Sequence, residues 1–426
     1  MDRLIISQLS CGEPKSLVVI GGGVTGALSA FELRRAGHRV TLLEARNWGN
    51  GSSSRSAACI RAQFENPSTI RGMVYCEQYY TQWTSIVGGD HSPITQNGYL
   101  FLRDWSANME EIRRIVEIQR EAGLSEVELL GRKELEDRFP YLESTGIQGA
   151  TWCPKDGFLE PSVVYSGAVE AAKKLGAETI QNAEVVSVVF DDDRPIAVKA
   201  KDGREFGGEV FVNACGVWAP HISHLFGGYP IDVKARRRYL YFLEGFKDGG
   251  GDYMEQNDFN RLPMIITPRG CYFRPESARG SKLMMMGWLQ PTRPVRPTFD
   301  NQDVIEPGFS NIGDGDYGVA LRKEITTYLP DAEKMGKIIT ATTGFYEDTP
   351  DRNPLIGWDP WTPNLLHAAG FSGHGLMHAP FTAAAVVHLV TAGCSLDTIE
   401  LPVVGRVDVR ALAVDRVFSG SEGMVI

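Results

Sequence analysis

The chain has 426 residues, of which 43% are hydrophobic and 23% are charged, and its formal net charge is −10. The length exceeds the ~250–300 residues at which one hydrophobic core stops growing, which predicts two domains in a globular protein of ordinary composition. The negative charge argues against a nucleic-acid partner. The basic run Arg236–Arg238 is instead predicted to lie in a strand, with alternate side chains facing opposite ways.

The distribution of cysteines and the lengths of the apolar runs indicate the cellular compartment of the protein. The seven cysteines are dispersed without a CxxC pair, which favours free thiols in a reducing compartment over a disulfide frame or a metal site. The first residues lack a cationic segment followed by a long apolar one, and no stretch approaches the ~18 uninterrupted apolar residues of a membrane span. We therefore expect a cytoplasmic protein without a membrane span.

The amino-terminal third begins with a pattern typical of a βαβ dinucleotide-binding unit. The apolar run Ser16–Ile20 precedes a glycine-rich turn, a helical segment Val24–Ala36 and a second apolar run, Arg39–Leu43, that ends at Glu44. In such a turn the glycines permit a tight bend, the approach of a pyrophosphate and close helix packing. Phosphate would lie at the positive end of the helix, and Glu44 has the spacing of a carboxylate that binds a ribose diol. The predicted nucleotide-binding residues are Gly21, Gly23, Val24, Thr25, Gly26, Glu44, Ala45 and Arg46.

The next segments of the chain interrupt the nucleotide-binding unit, and later segments continue it. Helical spacing or alternating apolar residues predict helices over Pro67 to Ile86, Asn108 to Ala122 and Ser162 to Leu175, and strands over Glu184–Phe190, Ile196–Ala200, Glu205–Glu209 and Val210–Asn213.

Strand-like runs dominate from Lys234 to about Thr340 and predict a mixed or antiparallel sheet, with the loop Asp248–Gly251 at its edge. They are Tyr239–Leu243, Met264–Thr267, Cys271–Arg274 and Leu283–Trp288, with one helix at Asp316 to Tyr328. The chain then returns through Lys337–Gly344 and Leu365–Ala369 to a long helix, about His378 to Thr391. The predicted fold class is α/β. A Rossmann-like nucleotide-binding domain (1–66, 150–232 and 337–426) is interleaved with a mixed-sheet α+β substrate domain (67–149 and 233–336).

Five sequence blocks follow one another in order along the chain. They are Val18–Gly23 with Gly26, Gly51–Ser56 running to Arg61, Val212–Trp218, Thr349–Gly357 and Ala369–Gly375. Together they resemble the FAD-dependent amine and amino-acid oxidoreductases of the D-amino-acid oxidase superfamily. The sarcosine oxidase β-subunit and proline dehydrogenase β-subunit branch is the most similar. The resemblance extends from about Leu17 to Thr391 and implies that the discontinuous domain binds FAD.

Each block also has a physical interpretation. The hydroxyls of Ser52–Ser54 suit phosphate or ribitol oxygens, although a flexible polar loop has the same composition. The amides of Gly370–Gly375 precede the last helix and can face an electron-rich flavin edge, unless this is a plain glycine-rich loop. With the resemblance, these blocks add the following to the predicted cofactor site: Ser52, Ser53, Ser54, Arg55, Ser56, Ala57, Ala58, Val185, Ala214, Gly216, Trp218, Gly344, Arg352, Gly370, Ser372, Gly373, His374, Gly375 and Leu376.

The substrate-binding residues are predicted from the resemblance and from strand geometry. Arg61 matches an arginine that holds the substrate carboxylate in relatives that resemble monomeric sarcosine oxidase; an internal salt bridge is the alternative. Tyr272 matches a tyrosine that lines the pocket of glycine oxidase-like relatives. Arg274 lies two residues further and would project from the same face of a strand. The hypothesis is that Arg61 and Arg274 share the anionic end of the substrate.

This chain lacks several cations of the family. Met377 replaces a lysine, Tyr346 replaces an arginine, and Met285 stands where monomeric sarcosine oxidases place the lysine that activates oxygen. The last difference favours dehydrogenase over oxidase chemistry, although Met285 is equally suited to a strand core. Trp288 and Tyr346 are expected to form apolar walls or ordinary domain-interface packing.

Cofactor attachment is predicted to be non-covalent. Residues 51–61 contain no histidine, and Gly344 occupies the place of the flavin-linking cysteine. His374 is near the flavin in the family pattern, in a conformational, hydrogen-bonding or acid–base role.

The sequence contains one dinucleotide fingerprint, so the electrons are expected to come directly from an organic substrate. The resemblance implies hydride transfer from a C–N carbon to flavin, giving an imine, with sarcosine-, proline- or glycine-like substrates. The alternatives are a 2-hydroxy-acid dehydrogenase with His374 as base, and a flavin subunit active only in a larger electron-transfer complex. Oxygen or a redox partner would accept the electrons. Both a homo-oligomer and a hetero-oligomer are compatible with the sequence.

Overall fold

The computed structural model describes residues 13–246, 259–276, 282–288, 294–306, 309 and 316–418. The predicted loop Asp248–Gly251 and Cys11 lie outside these residues. Within them, a six-stranded and an eight-stranded sheet pack on opposite sides of a cleft.

The six-stranded sheet, called here the nucleotide sheet, is built around the strand Ser16–Ile20. This strand pairs in parallel with Arg39–Leu43 on one side and Val210–Asn213 on the other. Its side chains are almost entirely buried because both faces of a parallel sheet are covered. The order of strands across the sheet is Leu355–Trp358, Leu365–Ala369, Val210–Asn213, Ser16–Ile20, Arg39–Leu43 and Glu178–Ile180.

Three helices cover the nucleotide sheet. Val24–Arg35 packs against both Pro161–Lys174 and Gly375–Ala392. Among the described helices, Gly375–Ala392 alone has the length and apolar composition of a membrane-crossing helix. In this structure 78% of it is buried inside the protein, which is typical of a core helix.

The eight-stranded sheet, called here the large sheet, is mostly antiparallel. Its longest strands, Lys234–Glu244 and Ile338–Asp348, pair along almost their whole length. Ile338–Asp348 lies within the segment 337–426 that is predicted to belong to the nucleotide-binding domain, and its hydrogen bonds place it in the large sheet. The division into domains stays a prediction. The strand order is Ile338–Asp348, Lys234–Glu244, Leu283–Trp288, Cys271–Pro275, Met264–Ile266, Tyr99–Asp104, Ile147–Cys153 and Glu128–Gly131.

Most predicted elements are confirmed, with ends that differ by a few residues. The remaining helices are Pro67–Thr81, Trp83–Ile86, Met109–Glu121, Arg132–Arg138, Ala219–Leu225 and Asp316–Tyr328. A three-stranded sheet contains Val185–Asp191, Arg194–Ala200 and Glu205–Gly207. Smaller sheets join Cys59–Ile60, Gly157–Leu159 and Ile94–Thr95, and Thr398–Leu401 with Gly405–Asp408. Short 3₁₀ turns lie at Ser52–Arg55, Gly216–Trp218, Pro330–Lys334 and Arg410–Leu412.

The prediction did not include three strands of the large sheet, Tyr99–Asp104, Glu128–Gly131 and Ile147–Cys153, or the helix Arg132–Arg138. The strands pair with one another and, through Tyr99–Asp104, with Met264–Ile266 far along the chain. Long-range pairing of this kind leaves little local signal in a sequence.

Candidate active site

The main cleft lies between the carboxyl ends of the nucleotide-sheet strands and one face of the large sheet. It contains about 1520 Å³ of space, part of it open to solvent. Its position at the strand ends is where open α/β sheets bind their ligands.

The glycine-rich turn shapes the floor of the main cleft. Gly21 has a φ of 108°, and a Cβ there would be 2.4 Å from the carbonyl oxygen of Ala214. A Cβ on Gly26 would be 1.9 Å from the carbonyl oxygen of Gly21, so the first turn of the helix touches the strand. Gly23, by contrast, would meet only the Ser53 hydroxyl, at 3.0 Å, and it lines the cleft. The turn therefore leaves open the cradle that a pyrophosphate needs.

Glu44 ends the second strand of the nucleotide sheet and faces the same cleft. Its carboxylate accepts hydrogen bonds from the backbone N–H groups of Gly22 and Arg46, each at 2.8 Å. Burial raises the pKa of Glu44, and these backbone donors partly offset the rise. A carboxylate fixed in this way beside the glycine turn fits a ribose diol.

The serine-rich loop closes one side of the main cleft. The Ser53 hydroxyl accepts a hydrogen bond from the N–H of Val24 at 3.1 Å, and the Ser52 hydroxyl donates to the carbonyl of Phe345 at 2.6 Å. The structure brings the following predicted cofactor residues together along the cleft: Gly21, Gly23, Val24, Thr25, Glu44, Ala45, Ser52, Ser53, Arg55, Ser56, Ala57, Val185, Ala214, Gly216, Trp218, Gly344, Gly373, Gly375 and Leu376.

Other predicted cofactor residues lie next to the cleft without lining it. The Arg46 guanidinium lies 5.0 Å from the ring centroid of Phe299. Gly370 donates its N–H to Glu347, and the Ser372 hydroxyl accepts from the N–H of Thr349. Arg352 has a φ of 60°. Ser54 and Gly26 complete this group: the Ser54 hydroxyl accepts from Arg55 Nη1 at 3.1 Å, and Gly26 packs on the backbone of Gly21.

A smaller space, called here the inner chamber, adjoins the main cleft and holds about 470 Å³. The two spaces share the side chains of Tyr272 and Tyr346. Arg61 lines the inner chamber, almost fully buried, with its Cζ 3.9 Å from the ring centroid of Phe64 and 5.9 Å from that of Tyr99. The described residues that line this chamber include one permanent cation and no carboxylate.

His374 also lines the inner chamber, together with Ala58 and Met377. Burial lowers the pKa of His374 well below its usual value, and the Arg61 charge lowers it further. His378, one turn later, has a pKa lowered to about 4 by burial. Both imidazoles are therefore neutral at pH 7, which limits the positive charge in the chamber to Arg61.

The position of Arg274 contradicts the hypothesis that it shares the substrate anion with Arg61. Arg274 lines neither space among the described residues. Its Nε and Nη2 donate to the carbonyl of Ala57 at 3.0 and 2.7 Å, and its Nη1 donates to the carbonyl of Pro275 at 2.6 Å. The guanidinium thus holds the backbone of the serine-rich loop at Ala57 and also donates to the carbonyl of its own neighbour Pro275.

The other aromatic and methionine residues predicted to lie at the substrate site are on different faces of the large sheet. Trp288 pairs with Cys271 and packs in the core on the far side of the large sheet, so it forms no wall of either space. Met285 is buried in the core on the cleft-facing side. Tyr346 packs directly on Gly373, where a Cβ would lie 2.3 Å from the ring, so it does form a wall.

Several lining residues were missed by sequence reasoning. Glu347 lines the main cleft and accepts the Gly370 N–H at 2.9 Å; burial raises its pKa to about 7. Arg238 lines the cleft from the strand Lys234–Glu244, and Tyr99 lines the inner chamber. Phe299 stacks on Trp218 at 4.9 Å over the cleft. Strand alternation within the Arg236–Arg238 run was the available signal for Arg238; Phe299 had none.

Comparisons with known proteins agree with this geometry. The model of a family described as FAD dependent oxidoreductase matches residues 16–389. FAD-dependent oxidoreductase domain-containing protein 1 of Xenopus laevis is 26% identical over 423 residues, covering 89% of this chain and 80% of that protein. Glycine oxidase of Geobacillus kaustophilus (strain HTA426) is 24% identical over 382 residues, covering 88% of this chain and 92% of that protein. The crystal structure of L-proline dehydrogenase from P. horikoshii superposes with a TM-score of 0.77 at 27% identity, covering 92% of this chain and 96% of that one.

Proposed function

Because the chain belongs to the FAD-dependent oxidoreductase family, whose model matches most of its length, we propose that it oxidises the C–N bond of a small amino acid or carboxylate-bearing amine. The predicted fold class, enzyme class and FAD cofactor are confirmed by the family match and the fold. The substrate is the new element of the proposal. Glycine oxidase and L-proline dehydrogenase, among the similar proteins, are named for amino-acid substrates.

The observation that carries the proposal is the composition of the inner chamber. Arg61 provides a positive charge beside the ring of Phe64, and no carboxylate lines the chamber in the part of the chain that the structure describes. Behind the chamber, Arg61 Nη1 donates to the carbonyl of Gln63, and the Arg61 charge lowers the pKa of the buried Asp156, which burial raises. Arginine binds carboxylates through two parallel hydrogen bonds, and the interaction is strong where water is excluded. Such a chamber favours a substrate whose carboxylate reaches Arg61.

The roles of the protein groups follow from their positions. The glycine turn and the N-terminus of Val24–Arg35 would hold the pyrophosphate of FAD, and Glu44 would hold its ribose. When bound, FAD supplies the acceptor for the electron pair and hydrogen from the substrate carbon, leaving an imine that water hydrolyses. Arg61 orients the substrate carboxylate, and Tyr272 and Tyr346 exclude water between the two spaces.

Oxidation of a 2-hydroxy acid is less well supported. Removing a hydroxyl proton requires a base whose pKa is matched to the task. His374 is the imidazole nearest this role, but burial and Arg61 hold its pKa well below the usual value, which makes it a poor proton acceptor. An amine that binds in its neutral form needs no such base, so the chamber fits C–N oxidation better.

The proposal is tested by anaerobic reduction of the purified, FAD-loaded protein. We expect amino acids or N-methyl amino acids to bleach the flavin absorbance, whereas lactate and 2-hydroxyglutarate leave it unchanged. Arg61→Met should raise KM by about 10- to 100-fold, since a hydrogen bond to a charged group contributes about 1.5–3 kcal/mol. Bleaching by hydroxy acids alone would overturn the proposal.

Admitting air after reduction separates dehydrogenase from oxidase behaviour. Because Met285 stands where monomeric sarcosine oxidases place a lysine, slow reoxidation by oxygen and faster reoxidation by a dye are expected. A chain that is inert alone but active with added redox proteins would instead favour the flavin-subunit alternative.

A further inference from the structure

Glu347 connects two segments that the FAD site is predicted to contain. It lies on the strand Ile338–Asp348 and lines the main cleft. Its Oε2 accepts the N–H of Gly370 at 2.9 Å, and its backbone carbonyl accepts the N–H of Ser372 at 3.1 Å. On the other side, the same Oε2 is 3.7 Å from the position that a Cβ on Gly216 would take. The carboxyl group is therefore fixed between two loops of the cofactor site.

The environment of Glu347 makes its negative charge costly. The side chain is half-buried, and burial raises its pKa to about 7 although the N–H groups of Gly370 and Phe371 lower it. A cofactor that lies against this wall of the cleft removes further water from the carboxyl group. The loss of water and the negative charge of the FAD pyrophosphate both disfavour the ionised form. Ionisation of Glu347 and binding of FAD therefore oppose each other.

The charges around Glu347 do not keep it ionised. The paired strand Lys234–Glu244 places the uncharged Ala235 opposite Glu347. The next residue, Asp348, is a carboxylate whose charge adds to the rise in the pKa of Glu347. The charges of three arginines act on Asp348: Arg236, Arg238 and Arg352. Burial is the largest influence on Glu347 itself, and its pKa stays raised in their presence.

Other titratable groups in the cleft differ from Glu347. The Glu44 carboxylate accepts two backbone N–H groups and would accept the hydroxyls of a ribose, so it binds FAD in its ionised form. Burial raises the pKa of the Cys215 thiol, and the charges of Glu44 and Glu347 raise it further, so the thiol is neutral at pH 7. His221 lines the cleft from the helix Ala219–Leu225 and is the alternative acceptor of a proton.

We propose that Glu347 is part of the FAD site and that the cofactor binds with this carboxyl group protonated, so that FAD binding takes up one proton from solvent. The neutral group donates its O–H to an oxygen of FAD while its other oxygen accepts the N–H of Gly370, an arrangement that a carboxylate cannot provide. The inference concerns the cofactor and is independent of the substrate proposed above. Its consequence is an affinity for FAD that falls as the pH rises above about 7.

Calorimetric titration of the cofactor-free protein with FAD counts the protons. The heat at pH 7.5 is compared in HEPES and in Tris, because a proton taken from the buffer adds the ionisation enthalpy of that buffer. The wild type should take up about 0.5–1 proton per FAD at pH 7.5 and almost none at pH 5.5, in a corresponding pair of buffers. Dilution of the FAD-loaded protein, followed by the fluorescence of released FAD, gives the Kd. It should rise about tenfold between pH 6 and pH 8.

Glu347→Gln tests the assignment to this residue. The amide cannot ionise, but it donates an N–H to FAD and still accepts the N–H of Gly370. This variant should take up no proton, and its Kd for FAD should stay constant between pH 6 and pH 8. At pH 8 it should bind FAD about tenfold more tightly than the wild type.

Glu184→Gln is the matched control. Glu184 also lines the main cleft, and its carboxylate pairs with Lys201 at 3.4 Å, with a third of its side chain exposed. Its removal takes a negative charge from the cleft without changing Glu347. This variant should keep the proton uptake and the pH dependence of the wild type.

The titrations separate the outcomes. Wild-type binding without proton uptake at pH 7.5 overturns the inference, and this measurement needs no variant. Uptake that persists in Glu347→Gln contradicts the role of Glu347 and assigns the proton to another group, such as His221. A loss of uptake in Glu184→Gln as well would mean that the effect follows the net charge of the cleft, which also contradicts the assignment.

Discussion

Glu347 is a titratable side chain in the main cleft whose environment alters its charge near neutral pH. Its carboxylate accepts the N–H of Gly370 at 2.9 Å, and burial raises its pKa to about 7 despite that donor. The pKa of an exposed glutamate is about 4.3. The folded protein therefore binds this proton more tightly than the unfolded chain, and the carboxyl is most compatible with the fold when neutral.

The linkage between this proton and folding gives a prediction. The stabilising contribution of Glu347 is present below about pH 4.5 and is lost as the pH rises through about 7. Glu347→Gln keeps an acceptor for Gly370 but does not ionise. The free energy of unfolding of the cofactor-free variant, relative to wild type, should therefore rise by about 1–3 kcal/mol between pH 5 and pH 8.

Denaturant unfolding at several pH values measures this difference. Glu178→Gln, at an exposed glutamate of the nucleotide sheet, is the control and should show a flat difference. A flat curve for Glu347→Gln as well would mean that the carboxyl titrates at its ordinary pKa.

Two arginines show what residue-scale reasoning can and cannot assign. Arg274 and Arg238 both lie in strands of the large sheet, and strand alternation directs both toward the cleft side. Arg274 nevertheless donates to the carbonyls of Ala57 and Pro275 and lines neither space, whereas Arg238 lines the cleft. The difference depends on which loop packs over each strand, and that loop is distant in sequence.

At the scale of elements, the first helix lies close against the turn that follows the first strand. The helix Val24–Arg35 begins immediately after the turn, and Gly26 lies on the carbonyl of Gly21. This proximity directs the helix N-terminus into the main cleft. The requirement for glycine is thus steric and local.

Gly26→Ala should disrupt this element. Its Cβ would be 1.9 Å from the Gly21 oxygen, so helix and strand must separate. We expect a loss of at least about 1–3 kcal/mol of stability, as for overpacking in a core, and an FAD dissociation constant raised by at least about tenfold. Thermal unfolding and fluorescence titration with FAD measure the two effects.

Gly207→Ala is the matched control for this prediction. Its Cβ would meet only the Ile196 carbonyl oxygen, at 3.6 Å, which is an ordinary contact. Stability should change by less than about 0.5 kcal/mol. Normal FAD binding by Gly26→Ala would refute the steric role of this glycine.

At the scale of the whole molecule, the main cleft, where we propose that FAD binds, exists only where the two sheets meet. The nucleotide sheet contributes Glu44 and the glycine turn, and the large sheet contributes Gly344, Phe345 and Tyr346. A ligand that bridges both sheets stabilises their association. FAD at 100 times its dissociation constant should add about 2.7 kcal/mol to the stability of the cofactor-free protein.

The attachment of FAD to the protein is also predicted to be non-covalent. Gly344 packs on Arg55, with its Cβ position 2.9 Å from the Arg55 Cβ, and provides no sulfur for a flavin link. Acid precipitation should therefore release the yellow colour into the supernatant, and added FAD should raise the unfolding temperature of the recovered apoprotein. Colour that stays with the precipitate would show a covalent bond.

The sequence by itself determined the nucleotide-binding unit, the discontinuous family pattern and the long buried helix near the carboxyl terminus. These features depend on local periodicity, turn glycines and short motifs, which neighbouring residues encode directly. Only the tertiary structure decided that Ile338–Asp348 belongs to the large sheet, that Arg274 holds a loop, and that Arg238, Tyr99 and Glu347 line the site. Those outcomes depend on which distant strands pair and which carbonyls lie nearest a side chain, and burial then sets the charge of each group.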